Sequence, residues 1–152
     1  MGFKLFISYS KEDFETVKHI HGMLSHPLIE TFVAEHSVIP GESLVKTIYA
    51  SIKRCDLFIL IWSMNSEESE WVAREIELAR SENKVIVPIK LDENSKLPGI
   101  LSDIKYLSFH QNPEKVINWI QSNVFGSAQA KSWEPVIWLL IGAALFWSLT
   151  QE

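Results

Sequence analysis

The sequence has little cysteine and little positive charge, and each shortage excludes a class of protein. A single cysteine, Cys55, occurs in 152 residues, which rules out a disulfide framework within the chain and fits a reducing compartment. Lysine and arginine total 14 against 19 acidic residues and form no cluster, whereas a nucleic-acid surface needs concentrated positive charge. We therefore expect no nucleic-acid partner.

The common catalytic and cofactor motifs are also missing. The chain has neither the G-x-G-x-x-G dinucleotide fingerprint nor the G-x-x-x-x-G-K-[ST] phosphate loop, and it lacks the G-x-S-x-G hydrolase elbow. Its histidines show no zinc-ligand spacing; they stand at positions 19, 21, 26, 36 and 110. These absences argue against a nicotinamide-dependent dehydrogenase, and we expect no metal and no bound cofactor.

Short apolar runs alternate with amphipathic helical patterns along most of the chain. The runs are continuously apolar, as expected for parallel strands covered on both faces, and comprise residues 3–8, 30–35, 56–62, 84–91 and 106–109. Strands and helices that alternate with short connections predict a three-layer α/β sandwich with right-handed crossovers. Ligands bind such sheets at the carboxyl ends of the strands, so the segments that follow the strands form the candidate site.

The character of the chain changes at residue 126. Residues 126–132, GSAQAKS, are small and polar and predict a linker. Residues 136–149 carry no charge, are apolar all round a helix, and have tryptophans toward both ends, as membrane helices do. We expect residues 133–152 to form a short transmembrane helix that anchors a cytoplasmic domain in a lipid bilayer, although the usual span is roughly 20 residues. A helix in the core of an oligomer is the alternative.

One helical pattern places a carboxylate at the edge of its buried face. Residues 69–77 read SEWVAREIE, and their periodicity gives a narrow apolar stripe of Val72, Ile76 and Ala79. At 3.6 residues per turn, Glu75 lies roughly 65° from the centre of this stripe, with Trp71 one turn before it. A half-buried carboxylate is costly unless something pairs with it or uses it.

Four stretches taken together resemble the Toll/interleukin-receptor (TIR) domain. They are KLFISYSKED, FVAEHSVIPGES, CDLFILIWSMNSEESEWVAREIELA and KVIVPIKLD, in register from about Phe3 to Phe125. The chain is most similar to stand-alone, NAD-cleaving TIR proteins of prokaryotic antiphage defence, such as the Thoeris type, because SEWVARE fits their S-x-W-x-x-x-E pattern. The resemblance implies a flavodoxin-like three-layer sandwich with a five-stranded, mostly parallel sheet in residues 1–125.

This resemblance gives Glu75 the catalytic role and makes Trp71 an aromatic wall of the pocket. In catalytic members the glutamate is essential for cleavage of NAD+ between nicotinamide and ribose. A carboxylate beside the ribose stabilises the positive charge that develops on C1 and the ring oxygen. NAD+ is then a substrate rather than a cofactor. The alternative is a helix-edge glutamate that pairs with Arg74 or Arg80, or faces solvent.

The residues directly after the first strand have two interpretations. Family members use the positions of Ser8, Tyr9 and Ser10 to shape the nicotinamide-ribose end of the pocket. Helix capping is the alternative, because Ser10 and Asp13 have the spacing of a capping box.

The turn at Pro40 and Gly41 lies in the loop through which TIR domains pack against a neighbour, so the resemblance also implies self-association. Many family members have aspartate where this chain has Ala34 followed by Glu35, and some have arginine in place of Ser10. The product is therefore left open between ADP-ribose and a cyclic isomer. A non-catalytic TIR adaptor that acts by homotypic assembly at a membrane is the alternative function.

Overall fold

The computed structural model describes residues 2–34 and 40–129 of the chain. Strands and helices alternate along it as β1 Phe3–Ser8, α1 Phe14–Met23, β2 Ile29–Val33, α2 Leu44–Arg54, β3 Leu57–Trp62, α3 Met64–Glu67, α4 Glu70–Ser81, β4 Ile86–Lys90, β5 Leu107–Ser108 and α5 Pro113–Gln129. Two short 3-10 turns, Lys11–Asp13 and Gly99–Leu101, precede α1 and β5.

The five strands form one sheet in the order β2-β1-β3-β4-β5, and every neighbouring pair is parallel. Helix α1 contacts α5, and α2 contacts α4, so each face of the sheet is covered by a pair of helices. The predicted flavodoxin-like three-layer sandwich is therefore confirmed. The central strand β3 is buried at all six positions, which explains why its sequence is continuously apolar rather than alternating.

A stack of three phenylalanines holds the first three strands of the sheet together. Phe6 is fully buried and stacks between Phe32 on β2 and Phe58 on β3, with ring centroids 5.3 Å away on each side. Both partners lie directly opposite Phe6 in the strand register. The stack supports the register of the three strands whose carboxyl ends form the candidate site.

We expect Phe6→Ala to lower the free energy of unfolding by about 3–5 kcal/mol, because it removes a buried ring and leaves a cavity between two others. Urea unfolding followed by circular dichroism measures this loss. Ile100→Ala is the control, since Ile100 is 43% exposed, and its effect should stay within about 0.5 kcal/mol. Equal losses in the two variants would contradict a central role for the stack.

Helix α5 extends into the segment for which the sequence predicts a linker. The linker expected at residues 126–132 does not begin at 126, because α5 continues to Gln129 and buries Ser127 and Ala128. The hydroxyl of Ser127 donates to the carbonyl oxygen of Asn123, 2.6 Å away, so this small polar residue is satisfied within the helix. Small and polar composition alone does not distinguish such a turn of helix from a linker.

The predicted hydrophobic helix at residues 133–152 lies outside the described residues. Within residues 2–34 and 40–129, no helix has the length and hydropathy needed to cross a membrane. Membrane attachment through the C-terminal segment therefore stays a prediction.

Candidate functional site

A cavity of about 420 Å³ lies beside the carboxyl ends of the first three strands. The strand order explains this position. The chain runs from β1 outward to β2 on one side and from β3 to β4 on the other, so the segments after β1 and β3 diverge and leave a crevice between them. Its lining residues come from the segments after β1, β2 and β3 and from α2 and α4: Tyr9, Ser10, Lys11, Glu12, Ala34, Ile48, Asn65, Glu68, Ser69, Trp71 and Glu75.

Glu75 is more deeply buried than the sequence predicts. Only 2% of its surface is exposed, although it lines the cavity, whereas its position on the helix predicts a half-buried side chain. The hydroxyl of Ser8 donates to Glu75 Oε1 over 3.1 Å. This hydrogen bond joins the last residue of β1 to the second turn of α4 and holds one oxygen of the carboxylate in place.

Each of the two arginines considered as partners of Glu75 contacts another side chain. Arg80 donates to the carboxylate of Asp103 at 3.3 Å. The guanidinium of Arg74 lies 5.9 Å from the centre of the Trp71 ring, a cation–π arrangement. An exposure of 2% also excludes a solvated carboxylate. The solvated interpretation of Glu75 is therefore wrong.

The segment after β1 forms one side of the cavity. Ser8, Tyr9 and Ser10 are all buried, and the ring of Tyr9 stacks on that of Phe14 at 6.1 Å. Ser8 is not itself a lining residue, but its hydroxyl bonds to Glu75, which is. The cavity is instead lined by Tyr9 and Ser10, together with the two residues that follow.

The predicted capping box between Ser10 and Asp13 is wrong. The side chain of Ser10 makes no cap hydrogen bond; its hydroxyl donates to the carboxylate of Glu12, while its carbonyl oxygen accepts from the backbone N–H of Asp13 at 2.9 Å. The hydrogen bond from Ser10 is the main cause that lowers the pKa of Glu12 below its usual value. Glu12 is therefore an anion at neutral pH on the rim of the cavity.

The opposite side of the cavity is built by α3, by the start of α4 and by the turn between them. Ser69 caps α4 by accepting a hydrogen bond from the N–H of Val72 at 3.3 Å. The first turn of α4 then buries Val72 in the core and leaves Trp71, one residue earlier, on the cavity. Asn65 and Glu68, which the motifs do not single out, line the same side. Their position after β3 is the sequence signal that could have identified them.

The predicted assembly turn lies on the surface. Pro40 and Gly41 are exposed, and Gly41 has φ +97°, in the left-handed region that favours glycine. Ala34, directly after β2, lines the cavity, whereas Glu35 lies outside the described residues.

Metal ligation finds no support among residues 2–34 and 40–129, where no three histidine, cysteine, aspartate or glutamate side chains are grouped to hold an ion. Cys55 is buried, and burial raises the pKa of its thiol to about 11. At neutral pH the thiol therefore stays protonated, the form that is a poor nucleophile.

Comparisons with known proteins agree with this fold. A family model described as "TIR domain" matches residues 5–120. The TIR domain of the Toll-related receptor TRR-2 from Hydra magnipapillata has a TM-score of 0.67 and 22% identity, over 82% of this chain and 97% of that one. The CMP N-glycosidase BcmB from Clostridium botulinum has a TM-score of 0.55 and 18% identity, over 76% of this chain and 96% of that one.

One curated relative is also similar in sequence. A cytoplasmic dynein heavy chain from Fusarium vanettenii is 34% identical over 110 residues, which is 66% of this chain and 2% of the relative. The similarity thus concerns a small segment of a very long protein.

Proposed function

The chain belongs to the TIR domain family, and on that premise we propose that it is an enzyme that cleaves NAD+ between nicotinamide and ribose. Its products are nicotinamide and either ADP-ribose or a cyclic isomer, used in antiphage signalling. The observation that carries the proposal is Glu75, a carboxylate that is 2% exposed, lines the cavity and is held by Ser8 at 3.1 Å.

The chemistry of N-glycoside cleavage suits a carboxylate in this position. As the bond breaks, its electron pair leaves with nicotinamide and positive charge spreads over C1 and the ring oxygen of the ribose. A fixed carboxylate stabilises this charge more strongly than it stabilises the ground state, and a water-poor surrounding strengthens the attraction. Water then adds to C1 and releases a proton, or a nucleophilic atom of the same molecule closes a ring.

The cavity also supports a nucleotide substrate through its walls. Its volume of about 420 Å³ lies in the range of small-molecule sites. Trp71 offers an aromatic surface on one side, and Tyr9 lines the other. The neighbour from Clostridium botulinum is named a CMP N-glycosidase, so the same fold is compatible with cleavage of an N-glycosidic bond.

Assembly without catalysis is the alternative function. The exposed turn at Pro40 and Gly41 favours it, because a surface turn is available to a second copy of the domain. An adaptor, however, has no use for a buried carboxylate beside a cavity, and burying such a group is costly. We therefore treat assembly through this turn as part of the enzyme's activity rather than as a replacement for it.

The direct test is incubation of the full chain with NAD+ at high protein concentration, with and without lipid vesicles. Mass spectrometry should detect nicotinamide together with ADP-ribose or a cyclic isomer. If a folded protein whose domains are held together by a fused dimeriser releases no nicotinamide, the enzyme proposal is wrong and the adaptor function stands.

Ser8→Ala should lower kcat by about tenfold or more, because a hydrogen bond to a charged group contributes roughly 1.5–3 kcal/mol. Loss of the hydroxyl frees the carboxylate of Glu75 to rotate away from the ribose. The matched control is Ser127→Ala, which removes another buried hydroxyl, bonded within α5. Steady-state kinetics should show the fall in kcat for Ser8→Ala alone, and similar kinetics in both variants would contradict the role of Ser8.

A further inference from the structure

We propose that Asp13 is a positioning residue that fastens the two walls of the cavity to each other. The first wall is residues 9–12, after β1, and the second wall is residues 65–71, after β3; both contain lining residues. The inference rests on the proposed function, since the walls are the surfaces that would hold NAD+. Asp13 itself does not line the cavity.

Two hydrogen bonds cross from Asp13 to the segment after β3. Asp13 Oδ2 accepts from the hydroxyl of Ser63 at 2.5 Å, and Oδ1 accepts from the side-chain amide of Asn65 at 3.1 Å. Asp13 follows the first wall directly, and Asn65 begins the second. One carboxylate thus uses both oxygens to bind a segment 50 residues away in sequence. Charged acceptors make strong hydrogen bonds of this kind.

The segment that Asp13 holds is itself rigid. The backbone N–H of Ser63 donates to Ser66 Oγ at 3.1 Å, and that hydroxyl donates to the carbonyl oxygen of Ile61 at 3.3 Å. The Ser63 hydroxyl accepts from the N–H of Asn65 at 3.1 Å. These bonds form a capping box that ties α3 to the end of β3. The hydrogen bonds of Asp13 to this segment therefore also fix the position of the second wall, which continues from it.

Asp92 provides a matched comparison, because it holds the same helix from the other direction. Asp92 Oδ2 accepts from the backbone N–H of Met64 at 2.8 Å, and Oδ1 accepts from that of Ser95 at 3.0 Å. It lies beyond β4 and does not line the cavity. Asp13 uses both oxygens to hold the start of α3, whereas Asp92 uses one oxygen for α3 and the other for Ser95 in its own loop. Of these bonds, only those of Asp13 connect α3 to the first wall.

The position of Asp13 predicts which kinetic constant its two hydrogen bonds control. Glu75 is held by Ser8, at the end of β1, through a hydrogen bond that does not involve Asp13. Loss of the bonds between the walls should therefore weaken substrate binding and leave the carboxylate of Glu75 in place. In kinetic terms, KM rises while kcat changes little.

The test compares Asp13→Ala with Asp92→Ala in the full chain. Asp13→Ala should raise KM for NAD+ by about tenfold with kcat within about threefold of wild type, and Asp92→Ala should change KM by less than about twofold. Asp13→Asn should restore most of the affinity, because its amide oxygen can accept from Ser63 and its amide group can pair with Asn65 once that side chain rotates. Equal rises in KM for the two alanine variants would overturn the inference, as would a fall in kcat at unchanged KM.

Hydrogen exchange separates this inference from the proposed function. Asp13→Ala should speed amide exchange in residues 9–13 and in residues 63–71, whereas Asp92→Ala should speed it in the second segment only. If the wild type released no nicotinamide, the enzyme proposal would fail, and unchanged exchange in residues 9–13 would then separately overturn the role of Asp13. Should Asp13→Ala not fold, Ser63→Ala removes the same 2.5 Å hydrogen bond by deleting its donor and must raise KM in the same direction.

Discussion

Glutamine in place of Glu75 should slow nicotinamide release by about a thousandfold or more, because it removes the negative charge that stabilises the developing cation. The amide has nearly the same shape as the carboxylate, and its oxygen can still accept the hydrogen bond from Ser8. The fold should therefore survive. The measurement is nicotinamide release by chromatography at saturating NAD+, with a thermal melt of the same sample.

The thermal melt of Glu75→Gln tests a second expected result, on stability. Burial of an ionised carboxylate costs free energy, and Glu75 is 2% exposed, so neutralising it should leave the thermal midpoint unchanged or raise it. Glu77→Gln is the control, since it makes the same charge change on the same helix at an exposed position. Its turnover should stay within about twofold of wild type. A folded Glu75→Gln protein with near-wild-type turnover would refute the catalytic assignment.

Strand positions were predictable from the sequence because the buried strands carry continuous apolar runs. Strand β1 has its predicted limits, Phe3–Ser8, and β3 begins one residue later than predicted. The outer strands are shorter than their apolar runs. Strand β5 pairs with β4 through Leu107 and Ser108 only, although the predicted run spans residues 106–109. Apolar flanks can pack against the core without joining the hydrogen-bond ladder, and sequence alone does not separate the two roles.

The site was predictable in its location but less so in its contacts. Tyr9 and Trp71 lie in the segments after β1 and β3 and line one cavity, together with Glu75, which the resemblance assigned to the site. The depth of Glu75 depends on Ser8, which is 67 residues away in sequence, and helical periodicity contains no such information. Local spacing also favoured a capping box of Ser10 and Asp13, but the carboxylate of Asp13 instead accepts hydrogen bonds from Ser63 and Asn65 in the segment after β3. Tertiary partners replaced local ones at these positions.

Specific activity of the full chain should rise with protein concentration, and Gly41→Arg should abolish that rise. If a neighbouring domain completes the site, activity follows the paired fraction, which grows about tenfold for a tenfold rise in concentration while most protomers are unpaired. Among residues 2–34 and 40–129, no atom lies within 4 Å of a Cβ built at Gly41, so a side chain can start there without a clash with this part of the protomer. The arginine would nevertheless occupy the surface that a neighbour contacts. Activity over a wide concentration range, with light scattering for mass, measures the effect.

The conformation of Gly41 requires a control for strain. Any side chain at φ +97° costs roughly 1–3 kcal/mol, so a small fall in the thermal midpoint is expected without unfolding. Gly99→Arg places the same side chain at another exposed glycine whose Cβ also meets nothing within 4 Å, and its activity should still rise with concentration. Fusion to a dimeriser raises the local concentration of the domains and should rescue Gly41→Arg only in part, because the altered turn still prevents the correct contact. Concentration-independent activity from a monomeric wild type would show that one domain is sufficient for catalysis, and the turn would then have no part in it.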